Sequence, residues 1–173
     1  IEASKRGLEE TLAHIKAKAE DPDLIQMERE NALKGTAKVA AEDVSTPFQK
    51  AYAQALSLYF RRKYKEANIG FKLMVEQFRK EINIDDLVKL YNYQGICFEK
   101  ELDYESAMTC FLLSLNLKPL DAVTLRNIGN VKLLTGDITE AIGYYDKALS
   151  IDHDDINTLN NKGHALSKIG NIN

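Results

Sequence analysis

Tyr91, Gly95, Phe98 and Leu102 fall at i, i+4, i+7 and i+11, the apolar stripe of one helix. A polar Asp103 follows, and then Ala107, Phe111, Ser114 and Leu115 at i, i+4, i+7 and i+8 mark a second helix over Tyr104 to Leu117. This two-helix pattern returns after 34 residues. Gly95, Gly129 and Gly163 keep that spacing, as do Ala107 and Ala141, Phe111 and Tyr145, Asp103 and Asp137, and Gly136 and Gly170. Shifting the end of the chain back by 34 matches Thr158, Leu159, Asn161, Gly163, Gly170 and Ile172 to Thr124, Leu125, Asn127, Gly129, Gly136 and Ile138.

A glycine in a helix interior costs about 1 kcal/mol relative to alanine. Three glycines in register therefore need a compensating gain, and close approach of the paired helix supplies one. Ala107 offers a facing small side chain, and Phe111 fills the space beside it. Leu102-Asp103 and Gly136-Asp137 make the turns within the hairpins, where glycine tolerates a left-handed backbone. Pro119 ends the second helix of one copy, and His153 stands in its place in the next.

These residues resemble the tetratricopeptide repeat family, whose pattern is an aromatic or Leu, a small pair such as Leu-Gly, an aromatic, Ala-x-x-x-aromatic, and a closing Pro. Residues 88–121 supply Tyr91, Gln94-Gly95, Phe98, Ala107, Phe111 and Pro119; residues 122–155 supply Leu125, Ile128-Gly129, Lys132, Ala141, Tyr145, Ala148 and His153. A partial copy covers 156–173 with Leu159, Lys162-Gly163 and Leu166. A weaker copy covers 48–87 with Phe48, Ala51, Ala55, Leu58, Tyr64, Ala67 and Phe71. From Ala67 to Ala107 the interval is 40 residues, six above the period, so a longer second helix or an enlarged turn is expected near Glu81–Leu87. The resemblance implies an all-α fold, a right-handed superhelical solenoid of antiparallel helix pairs.

Residues 1–47 lie outside the resemblance and read as an N-terminal helical cap or hairpin. Leu8, Leu12 and Ile15 form a stripe, Asp21-Pro22-Asp23 a break, and Leu24 to Glu42 an Ala-rich second segment. Thr46-Pro47 has the hydroxyl and first-turn proline of a helix start. At the other end, Leu159, Gly163, Leu166 and Ile169 are expected to stay partly uncovered. That reads as a fragment, as an end of ordered chain, or as a face for another molecule. The missing initiator Met reads in the same way, as a removed leader or a piece of a longer chain.

Composition narrows function by exclusion. The 173 residues carry 23 basic and 26 acidic side chains, a net charge of −3, with no sustained basic stretch of the kind nucleic acid requires. The one basic run, Arg61-Arg62-Lys63-x-Lys65, reads as a solvated turn. No stretch approaches the ~18 apolar residues of a membrane span. The two cysteines, Cys97 and Cys110, form no disulfide framework or metal set and suit a reducing, cytoplasmic setting. His14, His153 and His164 lack ligand spacing, and Asp152-His153-Asp154-Asp155 reads as a turn whose Asp caps the next helix. Phosphate loops, nucleophile elbows and zinc-protease signatures are missing. A chain that is not an enzyme and needs no cofactor is the expectation.

The resemblance also implies a concave surface lined by the first helix of each hairpin, with equivalent residues stacked in columns. One column is Asn92, Arg126 and Asn160; the next is Tyr93, Asn127 and Asn161; a third is Ile96, Asn130 and His164, with Lys89, Val123 and Asn157 preceding them. An amide side chain both donates and accepts hydrogen bonds, so it can hold the backbone of an extended peptide. The columns resemble the asparagine ladder of peptide-binding family members. Asn92, Tyr93, Arg126, Asn127, Asn130, Asn160, Asn161 and His164 are accordingly the expected peptide contacts. Arg126, Asn130 and Asn161 also match three positions of the family's clamp for acidic chaperone tails, but its closing basic residues have no counterpart among these residues. The expected function is a protein-interaction adaptor holding a peptide or partner helix. The alternatives are self-association through the uncovered last helix, or a regulatory arm of an enzyme whose catalytic domain lies elsewhere.

Overall fold

The computed structural model describes residues 26–41 and 46–170, and every element among them is an α-helix. The Leu8, Leu12 and Ile15 stripe, the Asp21-Pro22-Asp23 break and the closing residues 171–173 lie outside the described residues. The chain forms two compact units, Ile1–Ile82 and Asn83–Asn173.

In the first unit, α1 (Gln26–Ala41) packs on α2 (Pro47–Phe60), which pairs with α3 (Tyr64–Gln77). Thr46 starts α2 with a capping box. Its hydroxyl accepts from the Gln49 amide at 3.2 Å, and its own amide donates to the Gln49 side chain at 2.9 Å. These bonds satisfy donors that a helix start leaves unpaired. Ala67 and Phe71 are fully buried, as the resemblance of 48–87 to a hairpin requires. The register position of Gly95 is held in this hairpin by Ala55, and the small partner has moved across to α3. A Cβ on Gly70 would lie 3.1 Å from the Ala55 Cβ, tighter than ordinary contact. Close approach is thus kept with the glycine on the opposite helix.

In the second unit, α4 (Ile84–Lys100) pairs with α5 (Tyr104–Leu117), and α6 (Ala122–Leu134) with α7 (Ile138–Ile151). A final helix, α8 (Ile156–Gly170), packs on α7. The first helices are also neighbours, α4 beside α6 and α6 beside α8, while α5 meets α6 between hairpins. The six extra residues divide between two places. The turn before α4 is two residues longer than those before α6 and α8, and α4 starts four residues earlier than the α6 register predicts. Asn83 caps the added turn by accepting from the Asp86 amide at 2.8 Å. Of the two expected alternatives the enlarged turn is found and the longer second helix is not: α3 has 14 residues, the same as α5 and α7.

The recurrent glycines do not share one environment. A Cβ on Gly95 would fall 2.4 Å from the Phe111 ring, and one on Gly129 would fall 2.6 Å from the Tyr145 ring. Real side chains do not approach so closely, so these two positions admit only glycine without rearrangement. Nothing lies within 4 Å of such an atom on Gly163, which is exposed. The turns within hairpins repeat as well. Arg62, Leu102 and Gly136 all sit two residues past a first helix with φ of 61°, 64° and 92°. Only glycine takes that conformation without steric cost.

Candidate functional site

Buried polar side chains collect where one hairpin meets the next. A buried amide needs partners, and Asn92 on α4 has several. Its Nδ2 lies 2.8 Å from Thr124 Oγ1, 3.0 Å from Ser114 Oγ and 3.1 Å from the Val88 carbonyl. The Asn127 side chain on α6 donates to Asn92 Oδ1 at 3.0 Å. Thr124 passes the network on to Asp121, its hydroxyl donating at 2.6 Å while its amide donates at 2.9 Å. Asn92, Asn127, Ser114 and Thr124 are all buried.

The next junction reuses this plan with one change. Arg126 occupies the Asn92 position, Asp155 that of Asp121, and Thr158 that of Thr124. The Arg126 guanidinium donates to Asp155 at 2.7 Å, and the Thr158 hydroxyl donates to the same carboxylate. Burial alone would raise the Asp155 pKa, but the Thr158 hydroxyl and Arg126 charge outweigh it and hold the carboxyl below its ordinary range. Arginine has no acceptor, so Asn161 cannot bond it as Asn127 bonds Asn92. Asn161 donates to Asn130 Oδ1 instead, at 2.8 Å. Asn130 also accepts the Tyr145 hydroxyl at 2.9 Å. Burial pushes the Tyr145 phenol well above its usual pKa, which keeps it a neutral donor.

The eight residues expected to contact a peptide therefore separate by accessibility. Asn92, Tyr93, Arg126 and Asn127 are buried; for Asn92, Arg126 and Asn127 the bonds above join neighbouring helices. Asn130 and Asn161 are half-buried and bonded to each other, whereas Asn160 and His164 are exposed. Ser114, Thr124, Thr158, Asp121 and Asp155 complete the networks and were not anticipated as site residues. The signal for four of them was present in the sequence, since Asp121 and Asp155, like Thr124 and Thr158, are 34 residues apart.

Other chemistry-bearing groups lie apart from this surface. Cys97 and Cys110 are buried free thiols, and burial raises both, Cys110 to about 11. Among the described residues no group of three or more His, Cys, Asp or Glu could hold a metal ion, and no helix is long and apolar enough to cross a membrane. Glu99 is buried beside Lys100 at 3.4 Å, and desolvation raises its carboxyl pKa.

Comparison with known proteins agrees with this architecture. Residues 125–155 match the family described as tetratricopeptide repeat. No curated protein matches the chain significantly. Among solved structures, the chain is similar to the C-terminal TPR-containing domain of a Plasmodium falciparum protein described as FK506-binding, with a TM-score of 0.61 and 15% identity. That similarity covers 81% of this chain and 94% of the other. It is also similar to the Cut9–Hcn1 hetero-tetramer of APC/C, with a TM-score of 0.67 and 17% identity over 80% of this chain, but spans only 27% of the other. Residues 125–155 thus match a tetratricopeptide repeat, and the helical fold of the chain is similar to that of both structures.

Proposed function

We propose that residues 83–170 hold an extended segment of a partner protein along the strip where Asn130 of α6 and Asn161 of α8 come to the surface. The tetratricopeptide repeat is in general a protein-interaction repeat, so a protein partner follows from the family. The finer reading rests on one observation, the half-buried amide pair Asn130–Asn161. Two neighbouring first helices present these side chains, joined at 2.8 Å. Their shared bond fixes both rotamers in advance, which lowers the ordering cost of binding. It uses one Asn161 N–H and the Asn130 carbonyl, leaving the Asn161 carbonyl and the Asn130 N–H groups outside that bond. A peptide backbone needs both an acceptor and a donor, and this pair offers both. His164, exposed and one turn beyond Asn160, extends the polar strip.

Asn92 and Asn127 play a different part in this reading. They set the register between hairpins from beneath, and Arg126 does so through Asp155. Asn160 and Tyr93 are not required for contact.

A selection of random peptides on the intact chain tests the proposal. The expected result is a set of enriched peptides whose binding falls at least tenfold in the Asn130→Ala, Asn161→Ala double variant, which stays folded and loses in melting temperature only what the bonds of Asn130 to Tyr145 and Asn161 contribute. Enriched peptides that bind the double variant as well as the parent would overturn it.

A further inference from the structure

One carboxylate is sunk into the second unit where α4 runs beside α6. Asn92, Ile96 and Glu99 stand at i, i+4 and i+7 on α4, the face that Arg126, Asn130 and Leu133 form on α6 and Asn160, His164 and Ser167 on α8. Glu99 is the acid of a column whose other members, Leu133 and Ser167, carry no charge. It stands apart from the Asn130–Asn161 pair, on the neighbouring helix, yet its charge reaches that pair. After burial it is the next cause that holds the Tyr145 phenol high, and the Tyr145 hydroxyl is the donor to Asn130.

The surroundings of Glu99 leave it short of positive charge. Its side chain is 9% exposed, and a carboxylate taken out of water needs a cation and hydrogen bonds to offset the loss. What it has is the Lys100 ammonium, 3.4 Å from Oε1, longer than the ~2.8 Å of a full charge-assisted bond. Lys100 is the next residue along, so it leaves the helix ~100° away, and at 32% exposure it keeps much of its charge in solvent. That contact leaves Oε2 outside it. Desolvation accordingly prevails over Lys100 and holds the Glu99 carboxyl above its ordinary range. Arg126, whose charge also reaches Tyr145, is engaged by Asp155 at 2.7 Å.

A guest cation would meet that need. A guanidinium presents a planar fork of donors and is more weakly hydrated than an ammonium, so it loses less on leaving water and can take both carboxylate oxygens. We infer that the segment held by Asn130 and Asn161 continues onto α4 and places an arginine side chain on Glu99, displacing Lys100 into solvent. The inference rests on the peptide-holding reading above and adds the chemistry of the partner, an extended segment with a basic residue on its α4 side. Because Leu133 and Ser167 are uncharged, the arginine also fixes how far along the strip the segment sits.

Three pools of blocked octapeptides test this, each random in uncharged residues except for one fixed central position, arginine, norleucine or glutamate. On the intact chain the arginine pool should bind at least about fivefold more tightly than the norleucine pool, the yield of one bond to a charged partner, and the glutamate pool should bind weakest. Glu99→Gln, which keeps the shape of the side chain, should abolish that advantage. Glu105→Gln removes an equal charge from an exposed site and should leave it unchanged. Lys100→Ala leaves the core untouched and takes away the competitor, so it should raise the advantage further. An arginine pool no better than norleucine, an advantage that survives Glu99→Gln, or one that Lys100→Ala fails to raise overturns the inference. The peptide-holding reading survives that outcome if the Asn130→Ala, Asn161→Ala variant weakens all three pools. If no pool binds, or none is weakened by that variant, the reading falls and the inference with it.

Discussion

The α6–α7 hairpin and α8 carry the same sequence signature and put it to opposite use. In the hairpin, Gly129 is buried under the Tyr145 ring and Leu125 is packed; in α8, Gly163 and Leu159 face outward. The comparison separates what a glycine does from where it sits. Absence of a β-carbon matters only when another helix comes close enough to use the space. Where no helix does, the same residue merely weakens its own helix.

Substitution at the two glycines should show the contrast at its largest. Gly129→Leu is expected to cost about 3 kcal/mol or more, as an overpacked site from which the Tyr145 ring cannot withdraw without losing its bond to Asn130. Gly163→Leu should leave urea unfolding of the second unit unchanged or slightly favourable. Equal losses at both positions would remove the distinction between them.

The next largest effect belongs to the junction that joins the two regions. Asp155→Ala removes the carboxylate that the Arg126 guanidinium, 5% exposed, donates to at 2.7 Å. Loss of one partner from a buried ion pair costs ~3–5 kcal/mol, and the partial exposure of Asp155 places the expected loss at the lower end or below. The sign of its pH dependence is fixed. Because the folded-state pKa of Asp155 is lowered, its contribution is present above the ordinary carboxylate pKa and is lost as pH falls through the folded value. A urea series against pH should show a shallower acid limb in the Asp155→Ala variant. An unchanged acid limb would mean that the pair does not stabilise the junction.

Asn127→Ala should follow, at about 1–3 kcal/mol, because it leaves the buried Asn92 carbonyl without its donor. Thermal unfolding measures it, and a neutral result would show that the amide network is dispensable. Leu102→Gly works in the other direction. Leu102 is 72% exposed and holds φ 64°, so relief of the left-handed strain should raise stability by about 1 kcal/mol in urea. No gain would mean that Leu102 makes a contact outweighing the strain. The smallest effect is Gly163→Ala, a gain of roughly 0.5–1 kcal/mol from helix propensity alone. Gly129→Ala should lose stability, so the pair of alanine variants differs in sign.

Much of this was legible in the chain. The helices, their pairing and the turns follow from periodicities of a few residues, which are local properties. The close approach at Gly95 and Gly129 followed from an alanine and an aromatic recurring with them. The first hairpin was harder to read, because there the small residue changed helices and Ala55 faces Gly70. The six-residue excess was visible too, yet its placement depended on the Asn83 cap that lengthens α4 at its start.

The sequence by itself determined an all-helical repeat and the columns in which its polar residues stand, because a fixed period places equivalent residues at equivalent angles around equivalent helices. Only the tertiary structure decided what each column member does. Asn92, Arg126 and Asn160 share one position, but Thr124 and Ser114 bury the first, Asp155 neutralises the second, and the third is left exposed. Those neighbours arrive from other helices, and a side chain's accessibility is set by the neighbours that fold against it.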